Sequence, residues 1–466
     1  MKTKPKENKK QASCKGAPKQ GAMSRRDFLS LSALGLASLT ILPSWIIDGK
    51  HIPPSDRVVM GFVGMGQQGF NDMRSFSRCP GVQIAACCDV DSIKRERARR
   101  YVVDWQKNQG MPQRCDLYEF YDDLLNRKDI DAIEVATPDH WHALICIGAL
   151  DTGKDVYCQK PLAYTITEGL AVQTAVRHNH RVMQMGSQQR SSPEFQQAIK
   201  MVREGALGHI NEVHVRVGDP PKPFNLPEMP VPQNLNFNQW LGPLTDPKIH
   251  YHPDLCPPIS LDPEVDEKLW GAWRWYQETG NGYPADWGAH MYDIVQAALG
   301  FDGLGPVEFI PQGYDNHKYA TMRYANGIVM TEQPFDESQP NWQGIKFIGD
   351  KGWLKVARGY LAYSTKSAYG SLDKKYQPGT FMNEVLHMQN FLDAITKHDV
   401  LRAPVEYGTS TNTLCCIFNI ARELKRPVHW NPSTLSFEGD REAAVHRLYW
   451  YEYRRPYTLP YCDHRG

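Results

Sequence analysis

Four residues of this chain have the types and spacing to hold a phosphate-bearing nucleotide. Gly64, Gly66 and Gly69 lie in the run Gly64-Met65-Gly66-Gln67-Gln68-Gly69, and Asp89 follows 20 residues after Gly69. In such a run the first glycine permits a tight turn, the second lets the backbone approach a pyrophosphate, and the third lets a helix pack closely on a strand. The free N–H groups at the start of that helix then face the phosphates. An acid about 20 residues further on accepts hydrogen bonds from ribose hydroxyls. Its charge repels a 2′-phosphate, so Asp89 favours NAD, while Lys94 and Arg95 beside it keep NADP open.

These residues work only if strands and helices place them. The apolar run Arg57–Gly64 has strand length and leads into the glycines, and a helix-compatible stretch follows. Val82–Cys88 is a second strand, ending at Asp89. Asp116–Asn126 reads as a loop and a short helix, and Ile130–Ala136 as a strand. Asp139 is placed to cap a helix over His140–Asp151. Val156–Cys158, a helix over Thr167–His178 and a strand over Arg181–Met185 complete the alternation. Strands alternating with helices predict a parallel, doubly wound sheet with its ligand at the carboxyl ends of the strands.

Composition narrows the function. The 466 residues are 41% hydrophobic and 11% aromatic, enough for a sizeable core. Lys and Arg number 53 against 52 Asp and Glu, a balance that argues against a nucleic-acid binder. Eleven cysteines without zinc-finger spacing exclude a disulfide-stapled scaffold and read mostly as small buried hydrophobes.

The charge is uneven only at the start. Residues 1–23 hold seven lysines, and Ser24-Arg25-Arg26-Asp27-Phe28-Leu29 precedes an apolar run from Leu31 to Leu42. That run is far shorter than the roughly 20 residues needed to span a bilayer. A charged start, twin arginines and a weak apolar stretch predict export by the Tat pathway. The mature protein is then expected in the periplasm, or tethered by an uncleaved signal, with no other membrane span.

Beyond the glycine run, the chain carries Ala136-Thr137-Pro138-Asp139-His140-Trp141-His142, Lys160-Pro161 and Asp286-Trp287-Gly288-Ala289-His290. Together these resemble the Gfo/Idh/MocA family, named for glucose–fructose oxidoreductase and inositol dehydrogenase, and in particular its exported branch. The resemblance implies a Rossmann domain followed by an α+β domain with an open, mostly antiparallel sheet that makes a dimer or tetramer interface. It implies that Lys160 stands near the nicotinamide and the substrate hydroxyl. This sequence has Gln159 where the family has Glu, which removes a carboxylate beside that lysine. The resemblance also assigns catalysis to Asp286 and His290. Residues four apart on a helix share a face, and imidazole moves protons near neutral pH. A third metal ligand is not evident, so no metal is expected. Cofactor contacts fall on Gly64, Gly66, Gln67, Gly69, Asp89, Thr137, Pro138, His142 and Lys160, with His140 a further candidate to line the site. Substrate contacts fall on Arg190, Trp273 and Tyr283, and Asp293 reads as a structural helix residue.

The domain division expected from sequence is a signal and linker over 1–54, a Rossmann domain over 55–186, and an α/β substrate and oligomerisation domain over 187–466. Residues 219–263 hold 12 of the 33 prolines, so neither helix nor sheet runs through them. This insertion, counted to residue 282, brings in Trp270, Trp273, Trp275 and Tyr276, aromatics suited to the apolar faces of sugar rings. Hairpins are predicted at Asn326-Gly327 and at Gly349-Asp350-Lys351-Gly352. Helices follow over Met382–His398 and Thr409–Lys425. The aromatic, basic tail Trp450–Tyr457 is expected to pack on a neighbouring subunit or domain.

Three functions fit. The first is oxidation or reduction of a sugar, polyol or glycoside hydroxyl with a tightly held NAD(P). The second is redox-neutral glycoside cleavage by oxidation, elimination, hydration and re-reduction. The third is non-catalytic binding. Outside the cytoplasm no pool of soluble NAD is available, so the cofactor must be reset in place.

Overall fold

The computed structural model describes residues 56–364 and 382–462. The expected signal lies outside the described residues. Strands β1 (Val58–Val63), β2 (Val82–Cys88), β3 (Asp116–Tyr118), β4 (Ala132–Val135), β5 (Asp155–Cys158) and β6 (Met183–Met185) form one sheet in the order β3-β2-β1-β4-β5-β6. Every pairing in it is parallel. Parallel strands covered on both faces are apolar throughout, and β1 shows it. Met60 and Phe62 enter a core with Phe76, Ile84 and Val102, while Val63 enters another with Ile133, Ile145 and Val172. The strand order reverses between β1 and β4, which opens a crevice at their carboxyl ends.

Strand β3 departs from the loop expected over Asp116–Asn126. Three half-buried edge residues are too few to show a period, and pairing with β2 makes them a strand. The helix expected in that stretch runs over Tyr121–Leu125.

The second sheet contains β7 (Ile210–Arg216), β8 (Glu308–Ile310), β9 (Thr321–Arg323), β10 (Val329–Glu332), β11 (Gly344–Gly349), β12 (Gly352–Ala357), β13 (Tyr360–Tyr363), β14 (Val428–Asn431) and β15 (Ser436–Phe437). Its order is β13-β12-β11-β7-β10-β9-β8-β14-β15, and only the β7–β10 pair is parallel. Both expected hairpins form, β9–β10 and β11–β12. Ile210, Val213 and Val215 of β7 bury against a layer that includes Met291, Ile294 and Val295 of helix Gly288–Leu299.

Two late segments return to the first sheet. Helix Met382–Lys397 sends Met388, Phe391 and Leu392 into its core, where Phe391 packs edge-on against Tyr157 at 5.8 Å. The tail places Tyr457 edge-on to Trp141 at 5.2 Å, and Arg454 donates to the Asn238 and Gly242 carbonyls. The tail therefore packs on its own chain.

Candidate active site

The glycine run turns at the end of β1 and opens helix Gln67–Phe76. Gly64 has φ +93°, and a Cβ there would stand 2.7 Å from the backbone of Ala136 and Thr137. A Cβ on Gly69 would lie 1.8 Å from the Gly64 carbonyl oxygen, so the helix could not seat on the loop. A Cβ on Gly66 would meet nothing within 4 Å, because it points into open space. No side chain caps this helix. Its first N–H groups are left for an anion.

One cavity is lined by Gly64, Gly66, Gln67, Asp89, Thr137, Pro138, His142 and Lys160. That is every residue assigned to the cofactor except Gly69, which acts by packing. Asp89 accepts from Met65 N–H at 2.6 Å and Asp91 N–H at 2.8 Å, so the strand-end acid is tied to the glycine loop itself. Gln67 Oε1 and Thr137 Oγ1 are buried without a hydrogen-bond partner. Unpaired polar atoms around an open crevice, above a glycine that leaves room, fit a dinucleotide.

The insertion walls the other side of this cavity through Trp240, Cys256, Ile259, Trp270, Trp273 and Arg274. It is fastened to the loop after β2. Ser92 N–H donates to the Asn234 carbonyl at 2.9 Å, Asn236 N–H to Val90 at 3.0 Å, and Asn234 Nδ2 to Asp91 at 2.8 Å. Of the aromatics expected to suit a sugar ring, Trp270 and Trp273 line this cavity, and Trp275 and Tyr276 do not. The signal missed was the asparagine pair Asn234 and Asn236, which stitch an otherwise unpairable proline-rich stretch to the sheet.

Two of the catalytic candidates, Lys160 and Asp286, meet where β5 ends. Lys160 Nζ lies 2.5 Å from Asp286 Oδ1, and Arg274 donates to the same oxygen at 2.7 Å. Burial raises the Asp286 pKa, but Lys160 and Arg274 outweigh it and hold the carboxyl at about 2. Burial lowers the pKa of Lys160; Asp286 opposes that shift, and Arg274 adds to it. His290 is 5% exposed, and its Nδ1 has no partner. Burial, followed by the charges of Lys160, Arg358 and Arg274, keeps its imidazole neutral. Asp286 and His290 do not share one unbroken helix. Asp286 ends helix Gly282–Asp286 and His290 sits in the first turn of Gly288–Leu299, with Trp287 as the joint.

Several other expectations change. Arg190 does not reach the site. It forks onto Asp293 at 2.7 and 2.8 Å, bonds Asp302 at 2.7 Å and lies 4.6 Å over the Tyr407 ring. The 3-10 turn that carries it, Gln188–Ser191, faces helix Gly288–Leu299 on the side of Asp293, which is structural as expected. Tyr283 stacks on Trp275 with ring centroids 4.1 Å apart, outside the cavity lining. His140 is also outside it, with Nε2 3.0 Å from the Trp240 carbonyl oxygen. His142 lines the cavity, yet both ring nitrogens lie 2.9 Å from carbonyl oxygens, of Pro161 and Thr137, so it pins two loops together.

Two carboxyls were missed as site residues. Asp139 is not a cap: Pro138 holds the cap position, and Asp139 is the first helical residue, buried on the cavity wall. Burial lifts its pKa to about 7, against the pull of Arg274 and Lys160. Asp72 is fully buried behind Gln159, whose Nε2 donates to it at 2.6 Å. Burial and Glu384 raise its pKa to about 7. The carboxylate absent at position 159 therefore stands one hydrogen bond further back.

Among the described residues, no three His, Cys, Asp or Glu side chains gather as a metal site, and no helix is long and apolar enough to cross a membrane. Nine of the ten described cysteines are buried thiols.

Comparisons with known proteins follow the same lines. Residues 58–187 match the oxidoreductase family model with NAD-binding Rossmann fold, and residues 221–459 match that family's C-terminal alpha/beta domain. A Glycosyl hydrolase family 109 protein of Shewanella pealeana is 34% identical over 168 residues, 35% of this chain and 36% of that protein. The match thus spans little more than a third of that relative. Among solved structures, aldose-aldose oxidoreductase from Caulobacter crescentus aligns with TM-score 0.53 at 18% identity, over 80% of this chain and 99% of that one. Scyllo-inositol dehydrogenase from Lactobacillus casei, with bound NAD(H) and scyllo-inositol, aligns with TM-score 0.52 at 15% identity over the same shares. A glycine-lined crevice, a lysine–aspartate pair beside it, and matches to both of the family's models, over residues 58–187 and 221–459, make this chain a member of the Gfo/Idh/MocA oxidoreductase family.

Proposed function

We propose that the protein is an NAD-dependent oxidoreductase acting on a hydroxyl of a sugar, polyol or glycoside, with NADP a less favoured cofactor. The observation that carries this reading is the ion pair of Lys160 with Asp286 at the edge of the nucleotide cavity that Lys160 itself lines. The carbohydrate class is supported by the aldose, levoglucosan and inositol enzymes of the same fold. Gly64, Gly66, Gly69 and Asp89 would hold NAD, which when bound supplies the hydride acceptor.

The chain's own part is proton handling and positioning. Lys160, fixed by Asp286, donates a hydrogen bond to the reacting oxygen. His290 is neutral with an unpaired Nδ1, so it can accept the hydroxyl proton as the carbon–hydrogen bond breaks. Asp286 stays ionised and holds Lys160 in place.

The relatives named Glycosyl hydrolase family 109 favour a second reading, glycoside cleavage with no net redox change. The twin-arginine segment supports export to the periplasm or to a tether, and the family resemblance supports a dimer or tetramer. The first test is to purify the protein without added cofactor, denature it and quantify the released nicotinamide. Near-stoichiometric NAD supports the reading, and an empty protein that binds no supplied NAD overturns it. Sugar release from a glycoside without net NADH would select the second reading.

A further inference from the structure

The catalytic corner holds more cationic donors than alcohol oxidation uses. Lys160 and Arg274 both converge on one oxygen of Asp286, at 2.5 and 2.7 Å. A guanidinium offers five N–H donors, and a carboxylate fork would engage two of them. Among the described residues, the contact to Asp286 is the one hydrogen bond of the Arg274 guanidinium. A third cation, Arg358, stands at the turn between β12 and β13 and is exposed. It has no hydrogen bond or ion pair with any described residue, yet its charge acts on Lys160, Asp286 and His290.

Both arginines are braced in the same way. The Arg274 guanidinium carbon lies 4.6 Å from the Trp273 ring centre, and that of Arg358 lies 4.5 Å from the Trp287 ring centre. A guanidinium laid on an indole keeps its plane and its edge donors set. The acids nearby do not use these edges fully. Asp286 takes one contact, Asp139 acts on Arg274 and Lys160 through space, and Glu194 and Glu384 act on Arg358 through space.

We propose that the substrate is an acidic sugar, and that Arg358 and Arg274 receive its carboxylate while the reacting hydroxyl sits at Lys160 and His290. This rests on the oxidoreductase reading and narrows its substrate to the uronate class. Planar carboxylate matches the guanidinium fork, and two pre-set forks on aromatic faces select it over a neutral hydroxymethyl.

The test uses the full, NAD-loaded protein and isothermal titration with D-galacturonate and D-glucuronate against their methyl esters, in which the carboxyl is neutral and can no longer engage a guanidinium fork as an anion. At least one acid is expected to bind roughly tenfold or more tightly than its ester. Arg358→Gln should shrink that ratio toward one while keeping the parent's nicotinamide content. Equal binding of acid and ester overturns the proposal and leaves the oxidoreductase reading standing. Loss of nicotinamide from Arg358→Gln also overturns it, because the arginine then serves the cofactor. If neither acids nor esters bind, the uronate proposal falls, and the oxidoreductase reading stands or falls on its own nicotinamide test.

Discussion

Lys160 Nζ and Asp286 Oδ1 stand 2.5 Å apart although their residues are 126 positions apart in the chain. The first sheet supplies the lysine, at the end of β5. A short helix after the proline-rich insertion supplies the aspartate. The contact joins the nucleotide cavity to the second half of the molecule, and each side chain holds the other's charge state.

Breaking that pair should stop turnover without emptying the cavity. In Lys160→Ala, kcat should fall by about 100-fold or more, the usual contribution of a positioned acid–base group. Nicotinamide content should stay near that of the parent. Steady-state kinetics and released-cofactor analysis check both, and retained turnover would remove Lys160 from the mechanism.

The glycines separate folding from binding. Gly66→Ala adds a methyl group where nothing stands within 4 Å, so the thermal midpoint should hold while cofactor retention falls. Gly69→Ala drives a Cβ to 1.8 Å from the Gly64 carbonyl, so the loop must shift. A loss of about 1–3 kcal/mol is expected, together with the cofactor. Melting curves and nicotinamide content of the two variants should therefore diverge.

Arg190 should behave as a structural residue. Arg190→Met leaves Asp293 and Asp302 without their shared cation, and breaking a buried pair costs about 3–5 kcal/mol. Urea unfolding should show that loss, while KM of the remaining folded protein stays near the parent value. A large rise in KM at unchanged stability would restore the substrate role.

Asp72 predicts a pH dependence with a definite sign. Its folded pKa of about 7 lies above the unfolded value near 3.9, so the folded chain keeps a proton that the unfolded chain has released. The stabilisation is full below pH ~4 and is lost as pH rises toward 7. Relative to Asp72→Asn, the parent should lose on the order of 2 kcal/mol between pH 5 and 7. Urea unfolding of both proteins at the two pH values measures it, and parallel behaviour would mean that Asp72 is ionised throughout.

Local rules made much of this protein legible from its residues alone. The parallel sheet, the glycine loop and the acid 20 residues on are set by strand length, turn sterics and the βαβ repeat, all of which act over short distances. Both hairpins of the second sheet were legible for the same reason. Tertiary structure decided the rest. Gln159 reads as a lost carboxylate until Asp72 is seen behind it, and Arg190 reads as a ligand until Asp293 and Asp302 are seen to hold it. Asp139 reads as a cap until the cavity wall takes it in. Proline removes the hydrogen-bond pattern on which sequence reading relies, so nothing local in residues 219–263 told which wall they would build. Strand β3, helix Met382–Lys397 and the tail took their places from neighbours far along the chain. A side chain's partners are chosen by the packing of distant segments, and that choice leaves no period or spacing in the sequence to read.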